Sequence, residues 1–222
     1  EYYIDRGTGI LYLIPSGSIS EADITISVFG KNISDAAIKT NRASYINFKG
    51  FTITDCRAGG IYIYGGNSIK VDSCKIKNLG YTGVIVGQST NKHATVNGAN
   101  VYNPISFNNS DYVKGVNHSI TNSEIYNTGE SAVELCGGDR IKLEGSNLSV
   151  GNCIMHDCGR IVKSAPTVAA VGVGITISNN DIYNAACAGI VIGGNEIIVE
   201  KNEFWNCSSE TEDYGTIYSC PY

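Results

Sequence analysis

Along most of the chain an apolar residue, any residue, and then Asn or Asp recur as a triplet. The triplets are Ile53-Thr54-Asp55, Ile76-Lys77-Asn78, Val101-Tyr102-Asn103, Ile125-Tyr126-Asn127, Met155-His156-Asp157, Ile182-Tyr183-Asn184 and Phe204-Trp205-Asn206. Successive Asn/Asp positions stand 23, 25, 24, 30, 27 and 22 residues apart. A small residue and an alternating run follow most of them, as in Gly60-Ile61-Tyr62-Ile63, Gly83-Val84-Ile85-Val86 and Ala132-Val133-Glu134-Leu135. Another short run precedes several, such as Ile69-Lys70-Val71, Ile175-Thr176-Ile177 and Ile197-Ile198-Val199.

A unit of this length with two or three short strands cannot bury its own apolar side, whereas stacked units share one continuous core. Each strand then pairs with its equivalent one coil away, at about 4.8 Å. Asn at a fixed corner accepts left-handed backbone and hydrogen-bonds along the stack. The expected fold is all-β: a right-handed parallel β-helix of about seven coils over residues 46–222. Residues 1–45 read as a leading β segment, with a Gly-turn hairpin over Glu1–Pro15 and a further strand over Ile24–Val28.

The eight cysteines lack zinc-site spacing. Cys56, Cys158 and Cys207 share one row just past the Asn/Asp corner; Cys74 and Cys153 share another. Bridges between adjacent coils (Cys187–Cys207 or Cys158–Cys187) and inward-facing free thiols are both open at this point. Five N-x-[ST] sequons stand at Asn32, Asn108, Asn117, Asn147 and Asn206. With the cysteines they predict an extracellular, secreted glycoprotein, met here as a mature form or as part of a longer chain.

Composition narrows the function. The 222 residues carry 16 Lys and Arg against 21 Asp and Glu, a net charge of −5 with no basic run, which disfavours nucleic acid as a partner. No apolar stretch reaches the ~18 residues of a membrane span.

Certain segments resemble a known group. Tyr3-Ile4-Asp5-Arg6-Gly7-Thr8-Gly9-Ile10-Leu11-Tyr12 is similar to the leading segment of secreted carbohydrate-active β-helix proteins. Gly137-Gly138-Asp139-Arg140, Val171-Gly172-Val173-Gly174 and Gly194-Asn195-Glu196 look like loops of the same group. Glu210-Thr211-Glu212-Asp213-Tyr214-Gly215-Thr216-Ile217-Tyr218 resembles its E-T-x-D-x-G-x-I-Y run. The group is the β-helix glycoside hydrolases that include α-L-fucosidase and xylanase members, within the pectate-lyase-like superfamily. The resemblance spans nearly the whole chain and implies a polysaccharide partner. Where the group often carries Pro-His, this chain has Ala186-Cys187. The resemblance admits Ca2+, but no motif indicates it, and no cofactor or metal site is expected.

Glycoside hydrolysis needs two carboxyl groups flanking the scissile bond. Glu210 and Asp213, in the loop before the last strand, form the leading acidic pair. Glu134 lies between inward Val133 and Leu135, so it points outward from the stack. Arg160 is a candidate partner for a substrate carboxylate or hydroxyl. These four are the catalytic candidates. Asp139, Arg140, His156, Lys163 and Trp205 are the substrate-binding candidates, with the Trp ring offering a face to a sugar. His93 and His118 read as surface residues. Two functions follow. One is cleavage of glycosidic bonds in an extracellular polysaccharide. The other is a non-catalytic structural glycoprotein whose β-helix associates head to tail into a filament.

Overall fold

The structure is a computed structural model that describes residues 2–14, 17, 25–30, 35–87, 93–96, 99–102 and 115–219. Strands β1 (Tyr2–Asp5) and β2 (Ile10–Leu13) form the antiparallel hairpin that the sequence predicts. Asp5 closes its turn: one carboxylate oxygen accepts the Gly7 amide and the other the Thr8 hydroxyl. Residues 25–28 form no strand, and Ile24 lies outside the described residues.

The coils follow, each with three short faces. The first holds β3 (Ala36–Asn41), β4 (Asn47–Lys49) and β5 (Thr52–Cys56). The second holds β6 (Gly59–Tyr64), β7 (Lys70–Asp72) and β8 (Lys75–Leu79). The third opens with β9 (Val84–Val86). It is then interrupted by an antiparallel pair, β10 (His93–Val96) and β11 (Ala99–Tyr102), and resumes with β12 (Ser119–Thr121) and β13 (Glu124–Thr128). The fourth holds β14 (Val133–Gly137), β15 (Leu148–Gly151) and β16 (Ile154–His156). In the fifth and sixth coils the first two faces are single long strands, β17 (Val168–Ser178) and β19 (Ile190–Glu200), followed by β18 (Asp181–Tyr183) and β20 (Glu203–Trp205). Strand β21 (Ile217–Ser219) begins a seventh. All pairings between coils are parallel, so the chain is a parallel β-helix, as expected. The ladder is already running at Ala36, inside the stretch that the sequence sets apart as residues 1–45.

One of the seven triplets, Val101-Tyr102-Asn103, has its first two residues off the ladder, and Asn103 lies outside the described residues. Strand β13 pairs directly with β8, Glu124 opposite Lys75 and Ile125 opposite Ile76. Val101 and Tyr102 belong instead to the β10–β11 hairpin, which stands outside the ladder. The excursion places Asn127 directly over Asn78, 49 residues earlier, with its amide donating to the Asn78 side-chain oxygen at 2.7 Å.

Register carries the core. Ile53, Ile76, Ile125, Met155 and Ile182 stack on the third face, and Val71, Ile120, Val150 and Ile177 on the second. All are buried. Burial of each such side chain contributes about 1.5–3 kcal/mol relative to exposure. Where the first face bends into the second, Gly137, Gly172 and Gly194 stack on one another. Gly172 has φ 137°, and a Cβ there would lie 1.8 Å from the Gly137 carbonyl oxygen. Gly172 and Gly194 thus sit within continuous strands rather than in the loops implied by the family resemblance.

Asn ladders hold all three corners. Asn117 donates to Asn67 and Asn147 to Asn117; Asn122 donates to Asp72 and Asn152 to Asn122; Asn184 donates to Asp157 and Asn206 to Asn184. Each donor has left-handed backbone, φ 50–56°, which Asn tolerates better than other side-chain-bearing residues. Three of the five sequon asparagines, Asn117, Asn147 and Asn206, are therefore ladder members, each with one amide proton already committed. Asn32 and Asn108 lie outside the described residues.

The seven described cysteines are free thiols, so the bridges considered between Cys158, Cys187 and Cys207 do not form. Cys74, Cys153, Cys158 and Cys207 turn into the stack and spend their S–H on backbone carbonyls. Cys220 lies outside the described residues. His118, expected on the surface, is 1% exposed, and its Nδ1 accepts the Ile69 amide at 3.0 Å.

Candidate functional site

Outward residues of the first face lie in one row: Tyr62, Ile85, Glu134, Ala169 and Val191. Alternation alone would put this row in water. Instead these five are buried, Glu134 at 5% exposure, while Lys39 and Tyr218 at the two ends of the row are exposed and half-buried. Beside it, in the turn that carries the chain from β13 to β14, stands Glu130 at 0%. Its backbone oxygen accepts the Gly159 amide and the Thr128 hydroxyl, which fixes the turn.

Both carboxylates converge on one hydroxyl from an adjacent coil. Thr82 Oγ1 lies 2.9 Å from Glu134 Oε1 and 3.2 Å from Glu130 Oε2. The two carboxylate oxygens are therefore within about 6 Å of each other. A threonine hydroxyl has one proton to give and lone pairs to receive one. It can donate to one carboxylate and accept a proton offered by the other. Tyr62 shares this environment. Burial, then the negative charge of Glu134 and Glu130, pushes its phenol far above the ordinary tyrosine range, so it stays protonated.

Burying a carboxylate costs several kcal/mol unless it is compensated, and other coils fill the same row with Ile85, Ala169 and Val191. One buried acid in the row, with a second buried acid beside it in the turn, is the chemically distinctive feature of this face. Among the described residues no group of three or more His, Cys, Asp or Glu is placed to hold a metal ion.

Comparison with known proteins follows from this geometry. No protein-family model matches the chain, and no curated protein matches it. Among solved structures it is similar to the A-module of the Azotobacter vinelandii mannuronan C-5 epimerase AlgE4, with a TM-score of 0.52 and 10% identity over 84% of this chain and 48% of that one. The A-module of AlgE6 from the same organism aligns with a TM-score of 0.39 and 12% identity over 84% of this chain and 55% of that one. The chain thus spans about half the length of these structures. At such identity the AlgE4 likeness speaks for the β-helix fold.

The other candidates take different places. Lys163 and Glu210 form an exposed ion pair at 2.8 Å, joining the loop after β16 to the loop before β21. Arg160 reaches back to the Asn127 side-chain oxygen at 3.2 Å. Asp213 is exposed in a left-handed turn, φ 69°. Asp139 caps its own turn by accepting the Ile141 and Lys142 amides, with Arg140 beside it in the same turn. No hydrogen bond or ion pair among the described residues joins Glu210 or Asp213 to Glu134.

His156 faces outward as expected, but inside an aromatic column. Its ring stacks between Tyr126 and Tyr183 at 4.7 and 4.6 Å, and Trp205 continues the column 4.3 Å beyond Tyr183. Interplanar angles of 3–9° turn the ring edges, not the faces, to solvent. Trp205 has one face on Tyr183 and ends the column, 45% exposed. Asp157 holds His156 Nδ1 at 2.6 Å.

Sequence reasoning missed Glu130 and Thr82. The available signal was the four-residue spacing of Glu130 and Glu134 across a coil turn. Thr82, 52 residues from Glu134, gave none.

Proposed function

We propose that the chain acts on an extracellular polysaccharide and cleaves glycosidic bonds, with Glu130 and Glu134 as its carboxyl pair. The observation that supports this reading is their convergence on the buried Thr82 hydroxyl. Retaining glycosidases place their two carboxyl groups about 5–5.5 Å apart, and the limit of about 6 Å between these oxygens accommodates that spacing.

In this reading Thr82 donates to Glu134, the nearer acceptor, and fixes the orientation of its carboxylate. Glu134 attacks the anomeric carbon while Glu130 gives its proton to the departing glycosidic oxygen. Water, deprotonated by Glu130, then releases the sugar from Glu134 and restores both groups. Tyr62 stays a neutral phenol and supplies a donor next to the developing charge. The row is covered, so the glycan has to displace what lies over it. An extracellular setting is inferred from the polymeric substrate rather than from the cysteines, which are free thiols.

The test is release of reducing ends from a panel of soluble polysaccharides by the wild type, Glu134→Gln and Glu130→Gln, with thermal unfolding recorded in parallel. The expected result is cleavage of at least one polymer and its loss in both variants while each still unfolds cooperatively. Wild-type inactivity across the panel, or full activity in folded Glu134→Gln, would overturn the reading.

A further inference from the structure

A second polar surface lies at the opposite end of the third face, where the second face turns into it. A hollow of about 370 Å³ opens there, lined by Asn122, Glu124, Asn152, Ile154, Asn179 and Asp181 among others. The Asn ladder of this corner runs from Asp72 through Asn122 to Asn152 and then stops. Asn179 stands in the next coil with the same left-handed backbone, φ 55°. Its side-chain amide nevertheless has no partner among the described residues, and neither does the Asn152 side-chain oxygen. At the corner of the third and first faces the ladder continues to Asn206. Hydrogen-bonding capacity that the fold uses elsewhere is left open here.

The floor of the hollow has a definite pattern. Glu124, Ile154 and Asp181 lie in register on three successive coils. Ile154 is 42% exposed, an apolar patch between two acids. Lys75 holds Glu124 at 2.8 Å, while no cation pairs with Asp181 among the described residues. The two carboxylates sit two coils apart, about 9–10 Å at the usual strand spacing. One cation needs its oxygen ligands at about 2.3–2.6 Å, so the pair does not chelate. Open planar amides and a carboxylate suit pairs of vicinal hydroxyls, and an apolar patch between them suits the C–H face of a pyranose. The uncompensated Asp181 disfavours a uronate.

We propose that this corner groove is a binding site for a neutral glycan chain, distinct from the Glu130–Glu134 pair and lying along the helix axis. Asn179 and Asp181 are its principal hydrogen-bonding residues, and Ile154 is its apolar contact.

Affinity electrophoresis tests it, in gels containing galactomannan, xylan or, as the acidic control, polygalacturonate. Wild type, Asn179→Gly, Asp181→Ala, Ile154→Ser and Glu134→Gln are run together. Asn179→Gly keeps the left-handed backbone available, and Asp181 and Ile154 are surface positions, so the fold is retained. The wild type is expected to be retarded by a neutral polymer. Each groove variant should weaken that binding about tenfold, the worth of one hydrogen bond to a charged group or of a comparable apolar contact. In the Glu134→Gln background, where the gel polymer is not cleaved, the same groove substitutions should weaken retardation equally, which separates this proposal from the catalytic one. Absence of retardation in both neutral polymers would overturn it. So would unchanged binding in the groove variants, or equal retardation by polygalacturonate.

Discussion

Glu134 accepts the Thr82 hydroxyl at 2.9 Å although 52 residues separate them, and the same hydroxyl lies 3.2 Å from Glu130. Because all three are buried, removing the hydroxyl leaves two carboxyl groups facing each other without a mediator. Thr82→Val keeps the shape and deletes that group. It is expected to destabilise the fold by about 1–3 kcal/mol, read as a lower urea midpoint at unchanged m-value, while Thr82→Ser stays near wild type. Equal stability of the Val and Ser variants would show that the hydroxyl does not mediate the pair.

The ladder contact between Asn127 and Asn78 sets the register across the excursion that carries β10 and β11. Asn127→Ala must adopt left-handed backbone without the compensating side chain, at about 1–2 kcal/mol for the backbone alone. Asn127→Gly loses only the side-chain bonds, to Asn78 and from Arg160. The ordering expected in equilibrium unfolding is wild type, then Gly, then Ala. An Ala variant as stable as the Gly variant would contradict the left-handed corner at φ 51°.

His118 makes stability depend on pH. Burial lowers its pKa below the ordinary histidine value, and the neutral ring accepts the Ile69 amide. In the unfolded chain the ring titrates near about 6.5. The unfolded state therefore takes up the proton first as pH falls. The contribution of the neutral ring is complete above the unfolded value and is lost as pH falls through the lower folded value. The expected readout is a thermal midpoint that drops below about pH 6.5, with the slope over that window reduced in His118→Asn. Identical slopes in the two proteins would remove His118 as the cause.

Burial pushes the Cys158 thiol up to about 12 and Cys153 up to about 11. Thiolate is the reactive form, so both should resist a thiol reagent such as DTNB in the native protein and react on denaturation. The half-buried Cys207 should react first among the described cysteines. Mass mapping of the labelled protein checks this order. Finding Cys153 or Cys158 in a disulfide would contradict the packing.

The coil repeat was legible because inward residues and corner asparagines lie on their own kind in every coil, and that stacking leaves a periodic trace. The excursion was not. Asn103 divides the interval between Asn78 and Asn127 into 25 and 24 residues, each the length of a coil, so an inserted segment carrying an antiparallel pair reads as one more turn of the helix. For Glu134, alternation fixed the outward direction, but alternation carries no information on what covers a face. His118 was misjudged for a related reason: a corner residue can turn into the stack and satisfy a backbone amide there. Trp205 shows the limit of composition. Its ring is exposed as expected, yet parallel register covers one of its faces with Tyr183.

The central claim is that Glu130 and Glu134 act as one reaction centre, and a double-variant cycle on polysaccharide cleavage tests it most directly. If each step needs both groups, Glu130→Gln, Glu134→Gln and the double variant should lose similar activity, on the order of 10³-fold or more, because groups that work as a unit are strongly non-additive. Activity within about threefold of wild type in either single variant, or losses that simply multiply in the double variant, would contradict the account.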